Sequence, residues 1–334
     1  CRFAGAQFYR TRVEGLDLGG KQVLCEGRSP VRFDLISINS GSTPRTEGIA
    51  GAAKYSFPVK PIMQFLRGWD RILEAAIKRE SDAYRVTVIG GGAGGVEVTL
   101  ATQFCLFNEL RKRNITRSQI EFHLVTESDV LLPTHNARVQ EKYTRILDDR
   151  RVVVHLQHRV VKIEADALFC EPGSMIPSDA IILATDGAPS EWLRESGLKT
   201  DAQGFIFVDE CLRSPSHPFV FAAGDVASVK EHPRPKSGVF AVRQGPPLGE
   251  NIRLALADLP SEPFVPQRQF LSLISTGDQY AVASRGRWAL EGRIIWKIKD
   301  WIDRRWMKQY RELPEMSDDE GNSRMAERLI PDSD

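Results

Sequence analysis

An α/β fold with a mainly parallel sheet is predicted between residues 84 and 190, on three observations. Short apolar runs alternate there with longer stretches whose apolar residues recur every three or four positions. The first run passes straight into glycines, as a strand must when it turns sharply into a helix. The chain has 334 residues, enough for about two domains whose cores need neither disulfide nor metal.

Residues 6–25 alternate loosely around Asp17-Leu18-Gly19-Gly20 and read as a hairpin, with Phe8 and Val13 before the turn and Val23 after it. Residues 33–38 form a short strand, and Pro44, Gly48 and Gly51 mark loop. From 61 to 80 a helical spacing joins Ile62, Phe65, Leu66, Trp69, Leu73 and Ile77. A strand over 84–89 leads through the glycines to a helix over 95–112, with Val96, Leu100, Phe104, Phe107 and Leu110 on one stripe and Cys105 expected in the core. The crossover ends at 117–119. Then come a strand at 120–126, a helix at 136–148 and a strand at 152–156. A pair follows at 160–165 and 167–170, and a buried strand at 180–184. Two more apolar segments, 205–208 and 219–225, precede a helix in 239–257. That helix is expected to start after Pro246-Pro247, because proline cannot donate to the ladder. Strand-like patches at 270–274 and 280–283 lead to a strongly amphipathic helix over 293–311. The tail, 312–334, is polar and mixed in charge and is expected to be disordered.

Charge and cysteine usage exclude several classes. Forty-five Lys and Arg against 44 Asp and Glu leave a net charge of +1, which fits neither a nucleic-acid coat nor an acidic disordered chain. Cys1, Cys25, Cys105, Cys170 and Cys211 form no C-x-x-C pair, the pattern of a reducing compartment. No run of 18 apolar residues and no leader pattern is visible, so a cytoplasmic location is expected. The chain opens on Cys1 rather than methionine, with residues that already read as domain interior. This raises the expectation that a preceding segment is missing.

The sharpest signal is Gly90-Gly91-Gly92-Ala93-Gly94-Gly95, a G-x-G-x-x-G between an apolar strand and an apolar-periodic helix. Gly90 suits the tight turn, Gly92 lets the backbone approach a pyrophosphate, and Gly95 lets helix and strand pack closely. The amides at the helix start then receive the anion. The competing reading is a bare strand–helix turn. A P-loop is disfavoured, since no Gly-Lys-Ser or Gly-Lys-Thr follows. Glu127 ends the second strand, 32 residues past Gly95, later than the usual spacing of about 20. Its carboxylate would accept from a ribose 2′-hydroxyl and repel a 2′-phosphate, which favours NAD over NADP. A solvated strand end is the plainer account. Glu97 fits either a favourable helix-end charge or a place beside the nicotinamide. His123 reads as a half-buried structural histidine. His155 and His158 lack a completing Cys or Glu, so no metal site is expected.

A second constellation is Phe221-Ala222-Ala223-Gly224-Asp225, a buried strand ending in glycine and aspartate, followed by Lys236-Ser237-Gly238 and Arg243-Gln244-Gly245. Asp225 could bond a ligand hydroxyl or simply cap a helix. With 88–97, 221–226 and 237–251, the chain resembles the FAD- and NAD(P)-binding pyridine nucleotide-disulfide oxidoreductase superfamily. Its closing helix, 296–305, is most similar to the type II NADH dehydrogenase-like module fused in front of selenophosphate synthetase. The linkers Ser40-Gly41-Ser42-Thr43-Pro44 and Ala184-Thr185-Asp186-Gly187-Ala188 match as well.

The resemblance implies two Rossmann-like three-layer domains, with the NAD domain inserted in the FAD domain, plus a small C-terminal α+β region. Residues 1–60 and 190–260 would form the FAD domain, incomplete because its first glycine motif is absent. Residues 83–188 would bind NAD(P)H, and 265–311 would lie against the flavin. It implies hydride transfer from NADH to an FAD, then electron delivery to a quinone or other small acceptor. Gly90, Gly92, Gly95, Glu97, Glu127, Thr185, Gly187, Gly224, Asp225, Lys236 and Gln244 would bind cofactors, and Lys60 and Glu97 are catalytic candidates. For Lys60 and Lys236 a solvated role competes, and Gln244 could meet the ring edge or solvent. No cysteine pair suits a redox disulfide. A selenophosphate synthetase domain is an implied partner. On the 293–311 helix, packing against the body or a partner competes with a peripheral membrane contact. Nucleic acid is disfavoured, since the aromatics lie opposite the basic face. The alternative function is a non-catalytic nucleotide-binding or docking module.

Overall fold

The computed structural model describes residues 3–79, 83–115, 120–267 and 269–313. The expectation for the tail therefore falls outside the described residues from 314 onward, as does the end of the crossover at 117–119.

At the centre lies a five-stranded sheet. Its elements run β1 (Tyr84–Ile89), α1 (Ala93–Lys112), β2 (Ile120–Val125), α2 (Ala137–Asp149), β3 (Val152–His155) and β4 (Ala180–Leu183), with Phe57–Pro58 as the fifth strand. The order is Phe57–Pro58, β4, β1, β2, β3, parallel at every pairing. Both faces are covered, which is why the strands read as continuous apolar runs. On one face Val86, Val88, Phe122 and Leu124 meet Leu100 and Leu106 of α1 and Tyr143 and Leu147 of α2. On the other, Ile89, Val125, Ile181 and Leu183 meet Val160, Ile163, Leu168 and Ile176. Those last four belong to an antiparallel meander of Arg159–Ile163, Ala167–Glu171 and Ser174–Pro177.

Cys105 does not join this core. The buried stripe of α1 runs through Val96, Leu100, Gln103, Leu106 and Leu110. Cys105 sits about 100° around the helix from Leu106 and is exposed.

A second core joins residues from both sides of that sheet's segment. Leu16 and Ile38 pack with Leu193, Ile206, Val220 and Val226. Here Ile36–Ile38 pairs in parallel with Val220–Ala222, and Ile206–Val208 with Ala227–Val229. Thr43–Pro44 pairs antiparallel with Gly187–Ala188 where the two linkers cross. A continuous helix, α3 (Gly238–Leu256), follows with Pro246 and Pro247 inside it. The expected start after the prolines is thus corrected. The carbonyls of Val242 and Arg243 lose their helical donors, but both residues are exposed, where water can serve them. Phe240 and Gln244 before the prolines, and Asn251 and Leu254 after them, are buried and anchor both halves.

The third region is an antiparallel sheet of Ser272–Ser275, Ala281–Arg285 and Trp288–Gly292. It packs on α1 and α2, and its Ile274 and Val282 join the parallel sheet's core. Tyr143 donates to the Ile274 carbonyl at 2.7 Å, and Lys142 and Arg145 both pair with Glu291. Toward the second core it offers Phe270, stacked edge-on to Phe240 at 5.1 Å. The closing helix, α4 (Arg293–Arg311), packs along this sheet with no residue fully buried.

Candidate functional site

Steric demands fix the glycines at the β1–α1 turn. Gly90 has φ +130°, and a Cβ there would stand 2.2 Å from the Ala184 carbonyl oxygen. A Cβ on Gly95 would stand 1.8 Å from the Gly90 oxygen, so α1 can approach the strand this closely only with glycine. Gly92 differs. It has φ −75° and ψ 178°, which any residue adopts, and a Cβ there would meet nothing within 4 Å. The bond from Val96 N to Gly92 O, 3.0 Å, opens the helix. The earlier amides of that turn have no intrahelical acceptor. Gly92 thus faces open space at the positive end of a 20-residue helix.

Glu127 stands just beyond β2, exposed, beside the buried Thr126. Glu97 lies past the first turn of α1, so the helix-end role is not the one it takes. Its Oε1 accepts from the Ser275 amide at 2.6 Å, tying α1 to the third sheet. Burial pushes its carboxyl above the usual range, against the pull of that amide and of Lys299 on α4.

At the linker crossing, Thr185 donates through Oγ1 to the Arg45 carbonyl at 2.9 Å. Gly187 pairs with Pro44, and a Cβ on it would come 2.5 Å from Ser42 Oγ. Beyond the crossing, Lys60 Nζ meets Asp225 Oδ2 at 3.0 Å, and Ser42 Oγ donates to the same oxygen at 3.4 Å. Gly224 holds φ +73°. Its amide donates to Gln244 Oε1 at 2.6 Å. Gln244 is buried, with that oxygen committed to the backbone, and does not project to solvent. Lys236 donates to the Ala227 carbonyl and lies 4.0 Å over the Phe205 ring. Burial lowers its pKa, while Asp201 and Asp225 oppose the shift.

A cleft of about 190 Å³ is lined by Asp225, Lys236, Ser237, Phe240 and Gln244. Ser237 Oγ is buried there without a hydrogen-bond partner among the described residues, at the N-terminus of α3. This donor set suits a polyhydroxylated or anionic group beside an aromatic wall. The cleft is smaller than the roughly 300–1,000 Å³ of a pocket that encloses a whole ligand, so it fits one end of a dinucleotide. The only G-x-G-x-x-G in the sequence lies at 90–95.

Two features escaped sequence reading. The capture of Glu97 by Ser275 joins positions 178 apart. His123, His155 and His158 also form one row. His123 Nδ1 and His155 Nε2 lie 3.0 Å apart, and the His155 and His158 rings meet edge-on at 5.5 Å. Spacing of two on a strand, applied to β2 and β3 together, could have put His123 and His155 on one face.

The model of a family described as Pyridine nucleotide-disulphide oxidoreductase matches residues 4–245. The NADH dehydrogenase-like protein YutJ of Bacillus subtilis (strain 168) is 22% identical over 221 residues, 66% of this chain and 58% of that protein. The alternative NAD(P)H-ubiquinone oxidoreductase C1, chloroplastic/mitochondrial, of Arabidopsis thaliana is 25% identical over 298 residues, 78% of this chain and 55% of that protein. The chain thus spans little more than half the length of these curated relatives. Among solved structures, the sulfide:quinone oxidoreductase of Aquifex aeolicus superposes with a TM-score of 0.72 at 16% identity, over 91% of this chain and 75% of that one. NDH2 from Plasmodium falciparum in complex with NADH also gives 0.72 at 16%, over 88% and 79%. At such identities the likeness shows the fold.

Proposed function

We infer that this chain, which belongs to the pyridine nucleotide-disulphide oxidoreductase family, serves as an FAD-dependent NADH oxidoreductase. The observation that carries the reading is the β1–α1 turn. Gly90 and Gly95 are demanded by packing, whereas Gly92 has no packing reason to be glycine and opens onto free helix-start amides. A pyrophosphate is the group that such a surface receives. Glu127, exposed one strand over, would take the adenosine ribose and disfavour a 2′-phosphate. Thr185 and Gly187 would line the crossing between the two cofactors.

On the other side, Asp225, Ser237 and Lys236 would hold the ribityl and ring end of FAD, with Gly224 and Gln244 fixing the loop that presents Asp225. Bound FAD supplies a two-electron acceptor for the nicotinamide hydride. Lys60 places positive charge beside Asp225, which favours added negative charge nearby. Phe240 and Phe270 help exclude water from that side. The electron acceptor is a quinone or another small oxidant. Peripheral membrane contact through α4 is part of the proposal. Ile294, Trp301 and Tyr310 are each more than half exposed there, beside Arg304, Arg305, Lys308 and Arg311. Among the described residues no helix is long and apolar enough to cross a membrane. The tie to selenophosphate synthesis rests on the resemblance of residues 296–305 alone.

A second reading, a nucleotide-binding module without redox turnover, is favoured by one observation. Asp225 is already engaged by Lys60 and Ser42, in a cleft that admits only part of a dinucleotide. Purified protein titrated with NADH separates the two. Flavin absorbance that bleaches on NADH addition supports the oxidoreductase. NADH binding by a colourless protein, which also stays colourless after refolding with FAD, supports the module.

A further inference from the structure

The segment after β3 turns back onto the end of β2, and this return sets a histidine beside the acid of the glycine-turn site. Thr126 N donates to the His155 carbonyl at 3.0 Å, Gln157 N to the Ser128 carbonyl at 3.0 Å, and His158 N to the Thr126 carbonyl at 2.9 Å. Gln157 makes the reversal in the left-handed region, at φ +57°, a conformation that costs free energy for a non-glycine residue. The backbone of 155–158 is thereby stitched to 126–128, the strand end that carries Glu127.

The imidazole is fixed as well. His158 Nδ1 lies 2.6 Å from the Leu156 carbonyl. A carbonyl only accepts, so Nδ1 carries the proton. In the neutral ring Nε2 is then left as an acceptor. Behind it stands the His155 ring, edge-on at 5.5 Å. His155 is itself held by His123, with rings nearly parallel, 12° apart. His123 Nδ1 and His155 Nε2 are taken up with each other, and His123 Nε2 is buried without a hydrogen-bond partner among the described residues; His158 is the histidine of the row that lies at the surface. Glu127 is exposed, with no hydrogen bond or ion pair among the described residues.

We propose that His158 is a second specificity-determining residue of the dinucleotide site, accepting with Nε2 from a ribose hydroxyl of the adenosine half while Glu127 accepts from the other side. The proposal rests on the NADH reading above and deepens it. Two acceptors around one ribose reward hydroxyl groups, which can donate, whereas a 2′-phosphate replaces the 2′-hydroxyl donor with acceptor oxygens and is repelled by the Glu127 carboxylate. The half-buried His123–His155 pair acts as a buttress that fixes where His158 stands.

The test measures NADH and NADPH affinity by titration calorimetry on the wild-type chain and on three variants, with a melting temperature for each. His158→Ala is expected to weaken NADH about 3- to 10-fold, the effect of one neutral hydrogen bond, and to leave NADPH unchanged. His158→Gln, which keeps an acceptor at nearly the same reach, is expected to restore most of the NADH affinity. His158→Arg is expected to tighten NADPH and weaken NADH. A merely structural role would shift both nucleotides together, and so would overturn the proposal. NADH affinity of His158→Ala within twofold of wild type, at an unchanged melting temperature, overturns it too while leaving the NADH reading intact. A wild-type chain that binds no NADH overturns both.

Discussion

Gly92→Ala separates a ligand surface from a packing device. The backbone at Gly92 already has dihedrals open to alanine, and the added methyl would meet nothing within 4 Å. Two small terms act on stability. Alanine is a poorer N-cap than glycine, and it lowers the entropy of the unfolded chain by about 0.4–1 kcal/mol. They oppose one another, so stability should stay within about 1 kcal/mol of wild type. Binding should not. A methyl where phosphate oxygens approach holds them off the α1 amides, and hydrogen bonds to charged groups contribute about 1.5–3 kcal/mol. NADH should weaken about 10- to 150-fold. Gly95→Ala is the contrast. Its methyl would sit 1.8 Å from the Gly90 oxygen, so the turn must open, with a loss of about 1–3 kcal/mol or more. Urea unfolding and NADH calorimetry on both variants decide the matter. If Gly92→Ala binds NADH with wild-type affinity, or unfolds as early as Gly95→Ala, the phosphate does not rest on this turn and the argument from Gly92 is wrong.

Three further outcomes are expected. Glu127→Ala should weaken NADH more than NADPH in the same calorimetric assay, and equal losses would remove the ribose assignment. His155 is pushed down to about 4 by burial, reinforced by its histidine neighbours. The folded chain therefore refuses a proton that the unfolded chain accepts near 6.5. The resulting stability is present above that value and is lost as pH falls toward 4. His155→Asn should flatten this part of the urea-stability profile, and an unchanged slope would count against the half-buried pair. For α4, Trp301→Ser with Trp306→Ser should reduce sedimentation with anionic vesicles, and wild-type sedimentation that is absent at low salt would dismiss the membrane surface.

What could be read from the sequence was local. β1, the glycine turn and α1 announce themselves because strand, turn and helix signals stand within 30 residues, each needing only its own neighbours. The span of α4, 293–311, is legible for the same reason: its spacing repeats over five turns and it starts after Gly292. Long-range partners were not legible. Nothing near Glu97 indicates that Ser275 will take its carboxylate, and nothing near Gln244 points to the Gly224 amide. The third sheet was expected against a flavin. Its docking on α1 and α2 could not be read locally, because it depends on Ile274 and Val282 finding the main core there and on Tyr143 supplying a donor for the Ile274 carbonyl. The continuation of α3 through two prolines is another tertiary outcome, since buried side chains on both flanks outweigh two missing bonds.

These long-range contacts give the two halves of the site a mechanical connection. The turn that would hold NADH presses on Ala184, whose carbonyl leaves Gly90 no room for a side chain. Ala184 opens the linker whose Thr185 donates to Arg45 and whose Gly187 pairs with Pro44. That partner strand begins beside Ser42, which together with Lys60 engages the Asp225 carboxylate. A path of direct contacts therefore runs from the first glycine to the candidate flavin acid without leaving the two linkers. Hydride transfer needs its two rings held within about 3–3.5 Å, so the parts that set their spacing should be short, paired and free of loose side chains. The crossing has that character: Gly187 admits no Cβ against Ser42. Gly187→Ala should therefore shift the linkers apart and lower the rate of any NADH-dependent reduction, while NADH affinity at the β1–α1 turn stays near wild type. Stopped-flow reduction alongside NADH calorimetry reads the two separately. Parallel loss of both would mean that the crossing supports the fold as a whole and not the spacing between the two sites.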